Sequence, residues 1–299
     1  MQTPSNPIDP QWTILKILQW TTAYFKTHPV DSPRLTAEIL LAHVLSAKRI
    51  DLYARFDQPL TKSELSDFKA LIKRRVCREP VAYITGSREF FGIDFDVSPF
   101  VLIPRPETEF LVEAALARIP QAGSSFLRIL EIGAGSGAVI VSLAVNRPGH
   151  DYMASDISIN ALKTAAGNAK KNGVTGKICF FAGDLFFPVN PLAAPFDLIV
   201  SNPPYIAKND LAALEPEVRD FEPALALDGG ADGLDIIRKI INTAPPFLNS
   251  HAPLILEVGF DQKDRVVEIV AEDGRYKPPE FIKDYAGHHR VALMYKNDA

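Results

Sequence analysis

The sequence predicts an α/β protein built on a doubly wound parallel sheet, with a smaller helical part ahead of it. From about residue 106, short apolar stretches typical of buried strands alternate with helix-like stretches, as in parallel sheets covered on both faces. Before residue 89 the apolar residues follow a helical period instead. A chain of 299 residues has room for two such domains.

Three amphipathic stretches predict a small helical bundle over residues 1–88. The first places five apolar residues mostly along one face: Ile14, Leu15, Ile17, Leu18 and Trp20. The second has Ser32 as the expected N-cap and Pro33 in the first turn. In the third, Thr61 and Glu64 have the spacing of a capping box.

The pattern changes over residues 89–105, which we expect to form a β-hairpin connecting the two domains. The stretches EFFGIDFDV and PFVLI are aromatic and β-branched, as strands are, and Gly92, Pro99 and Pro104 punctuate them. The second domain is then expected to span residues 106–299.

Five stretches of the second domain have the composition of buried strands: 127–132, 151–156, 177–184, 196–202 and 252–259. A last strand pair at 281–296 is expected to close the sheet in the antiparallel sense. Ligands of such sheets bind outside the carboxyl ends of the strands. Three features lie there: a glycine turn after the first strand, Asp156 after the second and Asn202 after the fourth.

The glycine turn EIGAGSGA, residues 131–138, is suited to a cofactor that contains adenosine. Glycines at 133, 135 and 137 let a ligand approach the backbone closely. Asp156 would accept hydrogen bonds from both hydroxyls of a ribose. NAD and S-adenosylmethionine both carry an adenosine, so the glycine turn leaves the two cofactors open.

The stretch IVSNPPYIA, residues 199–207, favours methyl transfer. Pro203 and Pro204 lack backbone N–H groups and form a rigid turn rich in carbonyl acceptors, to which Asn202 adds a side-chain carbonyl. Such a turn suits a guest with an NH2 group. A dehydrogenase would need an acid or base partner for hydride transfer, and this turn supplies none.

EIGAGSG followed by SNPPY resembles the Class I methyltransferases that modify planar nitrogen, in DNA adenine or in protein glutamine. EFFGIDFDVSPFVLIPRPETE (89–109) and LEVGFDQ (256–262) resemble specifically the release-factor glutamine methyltransferases of the PrmC/HemK type. The resemblance covers nearly the whole chain. It implies a seven-stranded, Rossmann-like Class I sheet, S-adenosyl-L-methionine as cofactor, S-adenosyl-L-homocysteine as product, and transfer to the glutamine of the Gly-Gly-Gln motif of release factors.

The resemblance also assigns residues to the site. The expected cofactor-binding residues are Glu131, Gly133, Ala134, Gly135, Ser136, Gly137, Asp156, Asp184, Leu185 and Asn202. The expected catalytic residues are Asn202, Pro203 and Tyr205, and these three with Pro204 form the expected substrate site. The Asn202 Oδ1 atom and the Pro203 carbonyl would accept the two N–H groups of the substrate amide, while Tyr205 would pack on its plane.

Two details of the site stay open at this point. Where some relatives have Trp after Asp184, this chain has Leu185, Phe186 and Phe187, so the residue flanking the adenine is not fixed. Residues 105–109 would either cap a helix that begins near Pro106 or close over the cofactor.

Charge divides the chain and bears on its partners. Residues 1–90 carry 13 Lys and Arg against 9 Asp and Glu, a formal charge of +4, whereas the rest carries 19 against 27, or −8. The basic run KRRVCR, residues 73–78, is either a solvated helix face or a contact for an acidic macromolecule. The acidic catalytic part and the lack of a target-reading domain disfavour a DNA adenine methyltransferase. Intact Asn202 and Asp156 disfavour a non-catalytic adaptor that binds release factor or the ribosome.

The remaining composition excludes several other classes. No leader pattern and no apolar run of ~20 residues is present, so we expect a cytoplasmic protein without a membrane segment. Cys77 and Cys179 are far apart and are expected to be buried free thiols. The histidines form no HExxH pattern, and His288 with His289 is expected to be a surface pair, so no metal is predicted.

Overall fold

The computed structural model describes residues 11–121, 123, 125–190 and 195–297 and divides the chain into two compact units. The first unit ends at Gly86 but also includes Pro216–Phe221 from far along the chain. The second unit comprises Ser87–Glu215 and the residues from Glu222 onward. The first ten residues of the predicted 1–88 domain lie outside the described residues.

The first unit is helical. Its elements are α1 (Ile14–Lys26), α2 (Pro33–Val44), α3 (Arg49–Ala54), α4 (Lys62–Val76), α5 (Val81–Thr85) and, from the later segment, α9 (Pro216–Arg219). The capping box before α4 is confirmed, because Thr61 Oγ1 accepts from the Glu64 N–H at 3.2 Å and Glu64 accepts from the Thr61 N–H at 2.6 Å. Ser32 occupies the N-cap position of α2 with Pro33 in the first turn, as predicted, but its φ of 46° is left-handed and its side chain makes no capping hydrogen bond.

Part of the basic run is buried in ion pairs within this unit. Arg75 is 4% exposed, and its guanidinium lies 2.7 Å from a carboxylate oxygen of Glu217. Arg78 pairs with the other oxygen of the same carboxylate. Lys73 and Arg74 are exposed, and Arg74 pairs with Glu79. The run is therefore not a uniformly solvated helix face: its two arginines nearest Glu217 are tied to their own unit.

The second unit begins with the predicted hairpin. Strands β1 (Ser87–Phe90) and β2 (Ile93–Asp96) pair in the antiparallel sense. The two turn residues, Phe91 and Gly92, both have positive φ, 51° and 75°, as a type I′ turn requires. The stretch PFVLI forms no strand, so the expected hairpin over 89–105 is too long. Prolines at 99 and 104 remove the donors that a ladder needs there.

A seven-stranded sheet follows, in the order β5-β4-β3-β6-β7-β9-β8. Its strands are β3 (Arg128–Ile132), β4 (Asp151–Asp156), β5 (Ile178–Ala182), β6 (Leu198–Ser201), β7 (Pro253–Glu257), β8 (Glu280–Lys283) and β9 (His289–Tyr295). Strands β3 to β7 are parallel, and β9 pairs with both β7 and β8 in the antiparallel sense. The predicted fold class, including the closing strand pair, is confirmed.

Helices pack on the sheet and form two apolar cores with it. These helices are α6 (Glu109–Leu116), α7 (Ala138–Asn146), α8 (Ile159–Lys171), α10 (Asp235–Thr243) and α11 (Lys263–Asp273). Successive residues of β9 belong alternately to the two cores, which therefore lie on opposite faces of the sheet. Because β3 lies between β4 and β6, the carboxyl ends of these three strands meet at the point where the strand order reverses, the usual ligand position in such sheets.

The remaining expectations have mixed outcomes. Cys77 and Cys179 are exposed, not buried as predicted, because Cys77 follows the last turn of α4 and Cys179 lies on β5, at the edge of the sheet. His288 is exposed and His289 is partly buried. Across the described ranges, no helix is long and apolar enough to cross a membrane.

Candidate active site

A pocket of about 470 Å³ lies at the carboxyl ends of β3, β4 and β6. Eleven of the predicted site residues line it: Glu131, Gly133, Ala134, Gly135, Ser136, Asp156, Asp184, Leu185, Asn202, Pro203 and Pro204. Gly137 and Tyr205, also predicted for the site, are not among the lining residues. The structure therefore gathers residues separated by up to 73 positions along the chain around a single cavity.

The glycine turn has the backbone geometry that its sequence predicts. Gly133, Gly135 and Gly137 have φ values of 78°, 54° and 79°, which residues with a Cβ rarely adopt. The Gly133 N–H donates to the Ser155 carbonyl at 2.8 Å, which ties the turn to β4. A Cβ at Gly137 would lie 3.0 Å from the Cβ of Ala165, so this glycine permits close packing on α8, and its contact with a cofactor stays a prediction.

Asp156 has backbone partners on both oxygens. Its Oδ2 accepts from the Gly135 N–H and its Oδ1 from the Ser158 N–H, each at 2.8 Å. These two bonds hold the carboxylate against the glycine turn. A carboxylate has about four lone-pair positions, so two remain for a ligand.

Glu131 lies beneath the turn and is almost fully buried. Burial raises its pKa, the N–H of Ile140 opposes this by donating to Glu131 Oε2 at 3.0 Å, and the nearby Asp156 carboxylate raises the pKa further. The bond to Ile140 anchors the turn to α7. A contact between Glu131 and a cofactor stays a prediction.

The Asn-Pro-Pro-Tyr turn presents two acceptors that its own chain does not use. The Asn202 Nδ2 atom donates to Thr108 Oγ1 at 3.1 Å. Within the part of the chain that the structure describes, no group donates to Asn202 Oδ1 or to the Pro203 carbonyl. Both residues line the pocket. They can therefore accept the hydrogens of a ligand that brings its own N–H groups.

Tyr205 is the last residue of this turn and does not line the pocket. Its hydroxyl donates to Glu257 Oε1 at 3.3 Å, and its carbonyl accepts from Gln262 Nε2 at 2.9 Å. Burial and the neighbouring Glu257 raise the pKa of Tyr205, which keeps its hydroxyl protonated at neutral pH. Packing of its ring on a substrate amide stays a prediction.

Sequence reasoning did not single out Glu257, and it left the role of Thr108 open. Glu257 ends β7, which pairs with β6, the strand that Asn202 follows, and is 1% exposed. Burial raises its pKa to about 7, although hydrogen bonding by Thr108 and Tyr205 and the charge of Arg290 lower it. A signal did exist: an acidic residue ends a fully apolar strand at the ligand edge of the sheet.

The segment after the hairpin forms one wall of the pocket. Arg105 pairs with the buried Glu222, which also accepts from the Ile103 N–H at 3.2 Å. A 3₁₀ turn, Pro106–Thr108, then leads into α6. Arg105 and Thr108 line the pocket, whereas Glu109 accepts from the Phe91 N–H at 3.0 Å. A helix thus begins in this segment, but neither Arg105 nor Thr108 makes a side-chain cap, and closure of 105–109 over a cofactor stays a prediction.

Apolar side chains complete the pocket. Ile157, which follows Asp156, is exposed and lines the cavity together with Leu185. Phe186 is buried and stacks on Phe247 at 4.7 Å between ring centroids, and Phe187 is exposed and is not a lining residue. Two exposed residues from other segments, Phe100 and Leu225, also line it, and sequence reasoning missed both.

The strand order and the pocket at the switch point are those of the Class I methyltransferases. The family model of the PrmC N-terminal domain matches residues 16–86, and that of the methyltransferase small domain matches residues 107–220. The release factor glutamine methyltransferase of Geobacter sulfurreducens is 44% identical over 263 residues, covering 88% of this chain and 90% of the relative. The release factor glutamine methyltransferase of Rhodopirellula baltica is 39% identical over 290 residues, covering 96% of this chain and 98% of the relative. The chain belongs to the release factor glutamine methyltransferase family.

Solved structures of more distant methyltransferases share the fold. A methyltransferase from Pyrococcus furiosus has a TM-score of 0.50 and 18% identity, with 78% of this chain and 100% of that chain covered. A 16S rRNA methyltransferase from T. thermophilus was solved in complex with AdoMet and guanosine. It has a TM-score of 0.51 and 18% identity, with 71% of this chain and 50% of that chain covered. At these identities the likeness concerns the fold alone.

Proposed function

We propose that this chain transfers a methyl group from S-adenosylmethionine to the side-chain amide nitrogen, N5, of the glutamine in the Gly-Gly-Gln motif of peptide-chain release factors. The observation that carries the proposal is the pair of unused acceptors, Asn202 Oδ1 and the Pro203 carbonyl, in the wall of the pocket. Two acceptors match the two N–H groups of a primary amide. The names of the relatives point to the same substrate.

The pocket has the chemistry that S-adenosylmethionine requires. Its volume of about 470 Å³ is in the range of cofactor sites. The remaining lone pairs of Asp156 suit the two ribose hydroxyls, and Ile157 and Leu185 offer apolar surfaces to an adenine. When bound, the cofactor supplies a methyl group activated by a sulfonium. The related T. thermophilus fold was solved with the same cofactor.

The protein must make a poor nucleophile reactive. An amide nitrogen is weakly nucleophilic because its lone pair is delocalised into the carbonyl. Two N–H bonds to Asn202 and Pro203 would orient the amide so that the nitrogen faces the methyl group. On taking the methyl group the nitrogen would gain positive charge, and one of the two N–H protons held by Asn202 Oδ1 and the Pro203 carbonyl would then pass to water. Preorganised acceptors stabilise that charge, so no strong base is needed at the start.

The helical unit is proposed to select the substrate. Every glutamine presents the same amide, so the Asn-Pro-Pro-Tyr turn cannot tell one glutamine from another, and selectivity must come from remote contacts. Residues 16–86 match the PrmC N-terminal domain, and the exposed Lys73 gives this unit a positive charge for an acidic partner surface. The acidic second unit is not expected to bind DNA.

Parallel assays with tritiated S-adenosylmethionine test the function. The substrates are an intact release factor, its variant with alanine in place of the Gly-Gly-Gln glutamine, and DNA. We expect label on the intact factor alone. Equal labelling of the alanine variant would reject the acceptor residue, and label on DNA would favour an adenine methyltransferase.

A further inference from the structure

Glu257 is a buried carboxylate that forms no ion pair with any residue the structure describes. It is 1% exposed, and Arg290, whose charge lowers its pKa, is paired with Asp284 at 3.0 Å. Burying a charged group costs free energy unless hydrogen bonds compensate. An apolar residue would pack at the end of β7 at lower cost. The presence of a carboxylate there calls for a role other than packing.

Two groups near Glu257 connect it to the active-site pocket: Thr108 lines the pocket, and Tyr205 follows the lining residue Pro204. The Tyr205 hydroxyl donates to Oε1 at 3.3 Å. The second oxygen, Oε2, is buried and has no fully formed hydrogen bond among the described residues. The Thr108 hydroxyl lies near enough to lower the pKa of this carboxyl by hydrogen bonding. Donation to Oε2 would give that oxygen the partner that it otherwise lacks among the described residues.

The direction of the Thr108 hydroxyl decides how Asn202 lies. A hydroxyl has one hydrogen to donate, and an ionised carboxylate can only accept. If Thr108 gives its hydrogen to Glu257, it can offer Asn202 only a lone pair. The Asn202 Nδ2 atom must then face Thr108, as observed at 3.1 Å, and the Oδ1 atom must face the other way. Without Glu257, the hydroxyl could donate to Oδ1 instead, and the amide could lie in either orientation.

The geometry points to Glu257 as a positioning residue of this methyltransferase: through the Thr108 hydroxyl it fixes the Asn202 amide with Oδ1 available to the substrate, and through the Tyr205 hydroxyl it fixes the end of the turn. This inference rests on the proposed function of Asn202. Glu257 does not touch the reacting atoms. Glu257 instead raises the fraction of enzyme molecules in which Asn202 Oδ1 faces the substrate.

Gln262 supports the same end of the turn through the backbone of Tyr205. Its Nε2 donates to the Tyr205 carbonyl at 2.9 Å and to the Gly233 carbonyl at 3.2 Å, while its Oε1 accepts from the Gly259 N–H at 2.8 Å. A Cβ at Gly233 would lie 2.5 Å from the Tyr205 oxygen, so only glycine allows this approach. The segment LEVGFDQ thus holds Tyr205 at its hydroxyl and at its backbone.

The first test is Glu257→Gln, which keeps the shape of the side chain but gives it an NH2 group that donates. We expect kcat on release factor to fall about 10- to 100-fold, the cost of a misplaced contact, with the dissociation constant for S-adenosylmethionine within twofold of wild type. Tyr276→Phe is the control, because it also removes one buried hydroxyl bond, to the Ile241 carbonyl at 2.8 Å, and is expected to keep the wild-type kcat. A wild-type kcat in Glu257→Gln overturns the inference.

A double-mutant cycle separates positioning from packing. Thr108→Val removes the hydroxyl through which Glu257 acts on Asn202. If Glu257 acts on Asn202 through Thr108, the double variant should lose much less activity than the product of the two single losses, and the loss beyond that of Thr108→Val should be the part that acts through Tyr205. Multiplied losses would show that they act independently and would overturn the inference.

The pH profile supplies a readout that a purely structural role would not move. Only the ionised Glu257 accepts on both oxygens. Burial raises its pKa to about 7, and the charge of Glu107 also raises it, whereas hydrogen bonds from Thr108 and Tyr205 and the charge of Arg290 lower it. The wild-type kcat should therefore rise with pH through about 7, and Glu257→Gln should lack this limb. If kcat rose with pH through about 7 in Glu257→Gln as well as in the wild type, the inference that Glu257 acts as the ionised acceptor would be overturned.

A spectroscopic measurement keeps the inference separate from the proposed function. In the ¹⁵N-labelled protein, the side-chain amide signals of Asn202 report its orientation whether or not any substrate is methylated. We expect these signals to shift or broaden in Glu257→Gln and to stay unchanged in Tyr276→Phe. Unchanged signals in Glu257→Gln overturn the inference, whereas an inactive wild type with shifted signals would overturn only the proposed function.

Discussion

Replacing Asn202 with alanine removes the side-chain acceptor on which the proposed chemistry depends. A hydrogen bond to a neutral donor contributes about 0.5 to 1.5 kcal/mol, and one to a charged donor about 1.5 to 3 kcal/mol. The substrate nitrogen gains charge only as the new bond forms, so about 1 to 2 kcal/mol applies to the transition state alone. This difference corresponds to a factor of about 5 to 30 in rate.

Loss of orientation adds to this factor. In Asn202→Ala the Pro203 carbonyl is the one acceptor of the pair that remains, so the amide is free to turn about a single hydrogen bond. Removing one preorganised contact in other enzymes costs about 10² to 10³ in kcat, and we expect a loss of that size here. Affinity for S-adenosylmethionine should change far less.

The assay is single-turnover methylation of a release factor, with calorimetry for the cofactor and thermal melting for the fold. The variant loses the bond from Nδ2 to Thr108, which costs at most about 1.5 kcal/mol of stability. The melting temperature should therefore fall by only a few degrees. A variant that is folded and methylates at the wild-type rate would refute the role of Asn202.

Three further predictions address the cofactor, the helical unit and its charge. Asp156→Ala should weaken S-adenosylmethionine binding by about 1.5 to 3 kcal/mol in calorimetry, and an unchanged dissociation constant would assign the ribose contact to another group. Glu217→Gln should lower the unfolding free energy by about 1 to 3 kcal/mol at neutral pH, because Arg75 and Arg78 lose their shared partner. Burial disfavours the charge of Glu217, but Arg75 and Arg78 outweigh it and lower its pKa below 4.5, so the ionised carboxylate stabilises the fold above that pH. The difference in unfolding free energy between variant and wild type should therefore vanish as the pH falls through the lowered pKa. A difference that persists at such low pH would contradict the role of the ion pairs. Lys73→Glu should slow association with release factor several-fold at low salt and much less at high salt in stopped-flow experiments, and an unchanged rate would remove Lys73 from the recognition surface.

Local signals in the sequence were sufficient for most of the fold. Strand β4 has the predicted bounds of 151–156, and the capping box of Thr61 and Glu64 forms as expected, because both depend on residues close together in the chain. The glycine turn, Asp156 and Asn202 could be placed together for a different reason. The carboxyl ends of neighbouring parallel strands meet at one edge, so features that end such strands converge on it.

Contacts between distant residues were not predictable from patterns of this kind. Arg75 and Glu217 are 142 positions apart, and nothing near Glu217 marks it as part of the helical unit. Thr108 and Asn202 are 94 positions apart, so the hydrogen bond that sets the orientation of the amide left no local trace. Glu257 did carry a local signal, as an acidic residue at the end of an apolar strand, but its partners come from two other segments and could not be predicted.

Tandem mass spectrometry of a release factor, after incubation with the enzyme and S-adenosylmethionine, locates the transferred methyl group. We expect one added methyl group, on the side-chain nitrogen of the Gly-Gly-Gln glutamine, and Asn202→Ala should greatly slow its appearance. A methyl group on another residue, or none on a factor incubated with folded wild-type enzyme, would rule out the proposed function.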